Sequence, residues 1–177
     1  YGKTAISQTN GGTIDGNGNT LSAHESNRTW DSAISTTGGT IKNITIDSGF
    51  RGIFVKGGTK VYLDNVIIDG PTYTISCDSA NKSGLEAVNS TFNGWTSYAG
   101  TIGQVKFTDC SFGEGAGYAF CRPFAPTEFV GCEFEAGYKI DARAAVTFEN
   151  CTFDGVALTD ANLAALVTSN TANATIK

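Results

Sequence analysis

The stretch Val105-Lys106-Phe107-Thr108-Asp109-Cys110-Ser111-Phe112-Gly113 decides the fold. Apolar and polar residues alternate on both sides of Asp109, which is the period of a strand rather than a helix. The same pattern returns in Thr127-Glu128-Phe129-Val130-Gly131-Cys132-Glu133-Phe134 and in Val146-Thr147-Phe148-Glu149-Asn150-Cys151-Thr152-Phe153. Upstream copies are Gly39-Thr40-Ile41-Lys42-Asn43-Ile44-Thr45-Ile46, Val61-Tyr62-Leu63-Asp64-Asn65-Val66-Ile67-Ile68 and Leu85-Glu86-Ala87-Val88-Asn89-Ser90-Thr91-Phe92. A weaker echo is Gly12-Thr13-Ile14-Asp15-Gly16-Asn17. The shared column is Asn43, Asn65, Asn89, Asp109, Gly131 and Asn150, with successive members 22, 24, 20, 22 and 19 residues apart.

Asn, Asp and Gly tolerate a left-handed backbone. Each copy therefore reads as strand, tight turn, strand. A third strand per coil falls in the less regular stretch between copies: Gly52-Ile53-Phe54-Val55, Thr74-Ile75-Ser76-Cys77, Tyr118-Ala119-Phe120-Cys121 and Tyr138-Lys139-Ile140-Asp141. A period near 22 fits a leucine-rich repeat or a parallel β-helix, and Leu is too scarce for the first. The expectation is an all-β chain: a right-handed single-stranded parallel β-helix of about six to seven coils with a short C-terminal capping helix. The helix occupies residues 1–155 and the cap residues 156–177, where Thr159 is the N-cap candidate for the run to Val167. Residues 1–10 read as a first partial strand or a junction to something upstream. The opening Tyr1-Gly2-Lys3 fits a cut or processed piece of a longer chain.

Like residues should then stack. One inward column is Ile41, Leu63, Ala87, Phe107, Phe129 and Phe148; another is Ile46, Ile68, Phe92, Phe112, Phe134 and Phe153. Between them run Ile44, Val66, Ser90, Cys110, Cys132 and Cys151. The chain has five cysteines, an odd number, with no Cys-x-x-Cys. Cβ atoms that point in parallel suit disulfides poorly, so the aligned three read as reduced core residues. Alternation with an inward Phe120 puts Cys121 outside.

Composition excludes several classes. The 177 residues include 22 Gly and no Met, and only 16% are charged, which excludes coiled coils and helical bundles; the glycines lack the three-residue period of collagen. No apolar run is long enough for a membrane helix. A net charge of −5 with scattered basic residues argues against nucleic acid. The one histidine, His24, reads as a surface residue, and it cannot supply a two-histidine zinc site. No metal or cofactor is expected. Six Asn-x-Ser/Thr sequons begin at Asn27, Asn43, Asn81, Asn89, Asn150 and Asn173. Three of them fall in the turn column, where the backbone explains Asn, so no glycans are expected.

The Gly-x-Ile-x-Asn-x-x-Ile and Phe-x-x-Cys-x-Phe-x-Gly coils, with Asp15-Gly16-Asn17-Gly18-Asn19-Thr20-Leu21, resemble the pectate-lyase-like β-helix superfamily from Thr13 to Gly155. The short, Cys- and Phe-rich version is most similar to β-helix segments of phage virion proteins, such as tailspikes, tail fibres and head fibres. That resemblance implies a fibre or spike module on a virion surface or outside cells. It also implies self-association as a homotrimer of parallel protomers, and contact with other virion proteins or a host glycan or receptor. Some members cleave polysaccharide, so the alternative is a lyase or glycoside hydrolase domain whose site other sequence completes. A bacterial surface adhesin is the second alternative.

The sequence argues against a catalytic site in this chain. The superfamily's Asn-Thr-Asp, Asp-Asp, Gly-His-Gly and Arg-Ile-Lys motifs do not occur. The best outward acids of the third strand, Asp78 and Asp141, lie about three coils apart, roughly 14 Å, beyond the window for a carboxylate pair. Glu128, Glu133 and Glu149 read as a solvated face. The binding candidates are two. Trp95 and Tyr98 sit in an expected loop that could offer an aromatic platform to a sugar. Lys139, Asp141 and Arg143, with Arg122 one coil before, form a cluster that reads as a surface ion-pair network or as a contact for a sugar or subunit. Phe54, Tyr62 and Ile67 face outward by alternation, and Trp30 and Phe124 fall in turns. The column Thr45, Ile67, Thr91, Ser111, Glu133 and Thr152 is too interrupted for an ice-binding array.

Overall fold

The structure, a computed structural model, describes residues 4–9, 11–22, 32–77, 83–98 and 103–177. His24, Trp30, Asp78, Asn27 and Asn81 lie outside the described residues. The strands stack as a parallel β-solenoid with three faces. The first face carries residues 13–15, 39–42 and 61–64, then Leu85–Val88, Val105–Thr108, Thr127–Val130, Val146–Glu149 and Ala174–Ile176. The second carries 19–21, 44–46, 66–68 and 91–93, then Ser111–Gly113, Glu133–Phe134 and Thr152–Phe153. The third carries Thr4–Gln8, Ser32–Thr36 and Arg51–Val55, residues 73–76 and 95–98, then Phe120–Pro123, Lys139–Asp141 and Val167–Ser169.

The turn column explains the corner between the first two faces. Asn43, Asn65, Asn89, Asp109, Gly131 and Asn150 have φ of 51°, 53°, 49°, 50°, 62° and 53°. These are left-handed values that Asn, Asp and Gly accept at least cost. The asparagines also bond along the stack: Asn65 Nδ2 donates to Asn43 Oδ1 at 3.0 Å, and Asn43 Nδ2 to Asp15 Oδ1 at 3.1 Å. At Gly70, with φ 128°, a Cβ would lie 1.9 Å from the carbonyl oxygen of Asp47 in the coil below. Part of the glycine excess is thus set by close approach of successive coils.

Both expected inward columns are in register. Leu63 pairs with Ile41 and Ala87, and Phe129 with Phe107 and Phe148; Phe112 pairs with Phe92 and Phe134. The rings form two ladders. Phe107–Phe129 and Phe129–Phe148 stack at 5.2 and 5.3 Å, and Phe112–Phe134 at 5.1 Å. Across the interior the ladders meet edge to face, with Phe107–Phe112 at 5.1 Å and Phe129–Phe134 at 5.2 Å. Each ring therefore gains both favoured aromatic geometries at once. Cys110, Cys132 and Cys151 are buried free thiols. Their S–H groups donate to Ala87, Phe107 and Phe129 carbonyls at 3.6, 3.5 and 3.4 Å.

Five expectations change. Trp95–Tyr98 is not a loop but the end of strand Thr91–Tyr98, because Gly94, with φ 135°, turns the chain directly onto the third face. Cys121 is fully buried and Phe120 half-buried on the outside, the reverse of the expected parity, since Cys121 pairs with inward Thr96 and Ile140. Phe54 is buried rather than exposed, with the Arg51 guanidinium 4.6 Å over its ring and the Lys56 ammonium at 5.6 Å. The helix is a single turn, Leu163–Leu166, with Asn162 rather than Thr159 at the N-cap position and no side-chain capping bond; Asn162 Oδ1 instead accepts the Thr159 N–H at 2.7 Å. Finally, the tail beyond the helix supplies two more strands. Ala174-Thr175-Ile176 pairs with Val146-Thr147-Phe148, continuing the first face, and Val167 pairs with Ile140 on the third. Antiparallel strand Val156–Ala157 covers the end of the second face.

Two measurements check this interior. Phe112→Ala should cost about 3–5 kcal/mol, because the ring touches both ladders and the crowded coils above and below cannot collapse into the space; urea denaturation reads the loss. Titration of the native chain with a thiol reagent such as DTNB should find the cysteines unreactive, and unfolding should release five thiols, one per cysteine.

Candidate functional site

The third face carries two adjacent columns, of which Arg51, Phe54, Ser76, Ser97 and Asp141 are buried and Tyr73, Trp95, Phe120, Arg122 and Lys139 half-buried. The first is Arg51, Tyr73, Trp95, Phe120 and Lys139, each paired with the next. The second is Phe54, Ser76, Ser97 and Arg122, with Asp141 one coil beyond, beside Ile140. Stacking on one pleated face brings the aromatic rings together. Tyr73 meets Phe50 edge to face at 5.3 Å and stacks on Trp95 at 4.9 Å. Trp95 meets Phe120 and Tyr118, both at 5.4 Å. The Arg122 guanidinium covers the end of this array, 5.3 Å from the Trp95 ring and 5.2 Å from Phe120. Such contacts contribute roughly 0.5–2 kcal/mol each.

Tyr73 and Trp95 stack, Phe50 and Phe120 meet them edge to face, Tyr118 is tilted against Trp95, and the Arg122 guanidinium lies over Trp95 and Phe120. Trp95 Nε1 is buried without a hydrogen-bond partner among the described residues. Tyr98 does not belong to this surface. It is buried in the interior, and its hydroxyl lies 3.1 Å from Thr127 Oγ1 and 3.9 Å from Cys121 Sγ. Burial pushes the neighbouring Cys121 thiol up to about 12, so it stays protonated at neutral pH.

The charged cluster assembles around Asp141. Its side chain is 6% exposed, whereas the sequence placed it outward, in a surface ion-pair network. Arg143 Nε reaches Asp141 Oδ2 at 2.7 Å and Arg122 Nε at 3.3 Å, while Asn170 Nδ2 donates to Oδ1 at 2.7 Å. Lys139 points elsewhere, donating to the Ala165 carbonyl at the end of the short helix at 3.0 Å. Arg122, Asp141, Arg143 and Asn170 thus bind two coils and the C-terminal tail into one network. Burial pushes the Asp141 carboxyl up. The Arg143 and Asn170 hydrogen bonds and the two guanidinium charges outweigh that and hold it below the ordinary carboxylate value. Elsewhere, Glu128 pairs with Lys106 at 3.8 Å and Lys177 at 3.9 Å, while Glu133 and Glu149 are exposed. Ile67 and Tyr62 are exposed as expected, and so are Phe124 and Tyr118.

Among the described residues, no group of three His, Cys, Asp or Glu is placed to hold a metal ion, and no helix is long and apolar enough to cross a membrane. The sequence reading found the charged cluster and Trp95 but missed Tyr73 and Phe120 as their neighbours. The corner before the third face varies in length, from Ile68 to Tyr73 in one coil and from Phe112 to Phe120 in another. Pattern alone could not align the third strand across such gaps. No family model matches the chain, and no curated protein or solved structure matches it either.

The pH dependence of stability tests the Asp141 network. A depressed folded-state pKa stabilises the fold above the ordinary carboxylate value of about 3.9, and that contribution is lost as pH falls through the folded value. Asp141→Asn should therefore be less stable than the parent at pH 7, with the gap closing in acid. Urea midpoints across the pH range would show this; a constant gap would refute it.

Proposed function

We propose that this chain is a non-enzymatic structural and adhesion module, a rigid shaft segment of the kind carried by phage virion fibres and spikes. The observation that carries the reading is the third face, where a regular scaffold holds the half-buried side chains of Tyr73, Trp95, Phe120 and Arg122 in fixed columns. Surfaces of this composition serve contact with other macromolecules. The acids support the same reading. Asp141 is held ionised between two guanidinium groups, so it is not a proton donor near neutral pH, and Glu128 is tied to Lys106 and Lys177. Glycoside hydrolysis requires a carboxylic acid and a carboxylate facing one substrate. The contact would be with a host-surface glycan or receptor, or with other proteins of the particle, and would be made outside cells.

Incubating the chain with bacterial surface polysaccharide tests this directly. The expected result is retarded migration in a gel containing the polysaccharide, weakened by Arg143→Ala, with no new reducing ends or unsaturated products. Release of oligosaccharide would overturn the non-enzymatic reading, and unaltered migration on every bacterial polysaccharide tried would count against adhesion to glycans.

A further inference from the structure

The interior thiols form a row between the two phenylalanine ladders. Cys110, Cys132 and Cys151 each precede a strand of the second face by one residue, and those strands pair in register, Ser111 with Glu133 and Glu133 with Thr152. All three are buried and free. Their sulfurs hold equivalent positions in their coils. Each Sγ lies near the carbonyl oxygen two residues back, at 3.3 Å from Thr108, 3.5 Å from Val130 and 3.5 Å from Glu149. Each also lies near a carbonyl of the coil before, and those carbonyls belong to Ala87, Phe107 and Phe129, which share one register column. Side chains that repeat in this way are separated by the coil spacing, so successive sulfurs lie about 4.8 Å apart. They make a line rather than a cluster, and among the described residues they form no three-ligand metal group.

A gap of that length is too wide for a disulfide, whose sulfurs lie about 2.05 Å apart. It matches two metal–thiolate bonds in line, since one such bond is about 2.3 Å long and two span roughly 4.6 Å. We propose that Cys132 and Cys151 form a binding site for a soft, two-coordinate metal cation, held linearly between their stacked sulfurs. Thiolates select soft ions. Zinc is excluded, because it takes four ligands in a tetrahedron and the row offers two. On binding, two S–H bonds break, two S–metal bonds form and two protons pass to solvent. With a dication such as mercury(II) the unit is neutral, which leaves no net charge in the apolar interior. Of the two gaps in the row, this one lies nearer the end of the stack. Cys151 is the most exposed of the three thiols, at 4%, and the end beyond it is covered by the exposed two-residue strand Val156–Ala157. A bare ion passes there where a bulky aromatic disulfide does not. Hydrogen bonding with Cys132 holds the Cys151 thiol below its ordinary value, while its bonds with Cys110 and Cys151 push Cys132 up, so Cys151 is the first thiolate to meet the ion. Cys121, stacked between Thr96 and Ile140, has no cysteine directly above or below it.

Native mass spectrometry of the chain with one equivalent of mercury(II) chloride tests the site, with circular dichroism to confirm folding. The folded parent should take up one ion and lose two protons, and X-ray absorption should show two sulfurs at about 2.3 Å from the metal. One equivalent of zinc(II) should not bind. Cys132→Ser should lose the two-sulfur signature. It should still fold, because serine already occupies this column at Ser90, whose Oγ donates to the Val88 carbonyl at 2.7 Å. Cys110→Ser and Cys121→Ser should keep the signature. A folded parent that binds no mercury(II), a two-sulfur signature that survives Cys132→Ser, or its loss in Cys110→Ser would overturn the proposal.

Discussion

Everything in this chain depends on the stacking distance between coils. Parallel strands lie about 4.8 Å apart, so each residue sits directly over its counterpart one coil away. That distance suits planar rings stacked face to face, and Asn side chains that donate to the next Asn. It leaves no room for bulk at corners where backbones converge. The Phe ladders, the Asn ladder and glycines such as Gly70 are three answers to one geometric demand. The interior cysteines answer it too, as narrow side chains whose S–H groups use carbonyls of neighbouring strands.

The same rule builds the outer surface. Whatever one coil displays, the next displays beside it, so a few aromatic residues become a column and two arginines converge on one aspartate. A solenoid therefore produces extended contact surfaces. This is why its functional reading rests on faces rather than on a cleft. The cap follows the rule as well. The tail re-enters the stack through Ala174–Ile176, and Asn170 fastens it to Asp141, so the last coil is held by the network that orders the third face.

The first and second faces were legible in the sequence because a constant two-residue alternation flanks a constant corner. One Asn, Asp or Gly with φ near 50–60° fixes that corner's length, and the columns follow by counting. The third face was not legible to the same degree. Its entry corner uses Gly94 in one coil and a longer excursion through Tyr118 in another, so alternation loses its phase there. That is how Trp95 and Tyr98 read as a loop, and how Cys121 and Phe120 exchanged sides. Asp141 was correctly grouped with Arg122 and Arg143. Its burial depends on Asn170, which is 29 residues away and carries no pattern linking it to the cluster.

If in-register stacking is the source of stability, each coil is held mainly by its two neighbours, and protection should grow from the ends inward. Native-state amide hydrogen exchange measures this residue by residue. The prediction is slowest exchange in Val105–Thr108 and Thr127–Val130, which carry the stacked Phe107 and Phe129, and faster exchange in Thr4–Gln8 and Ala174–Ile176. Equal protection along the whole stack, or opening that begins among the phenylalanine coils, would contradict it.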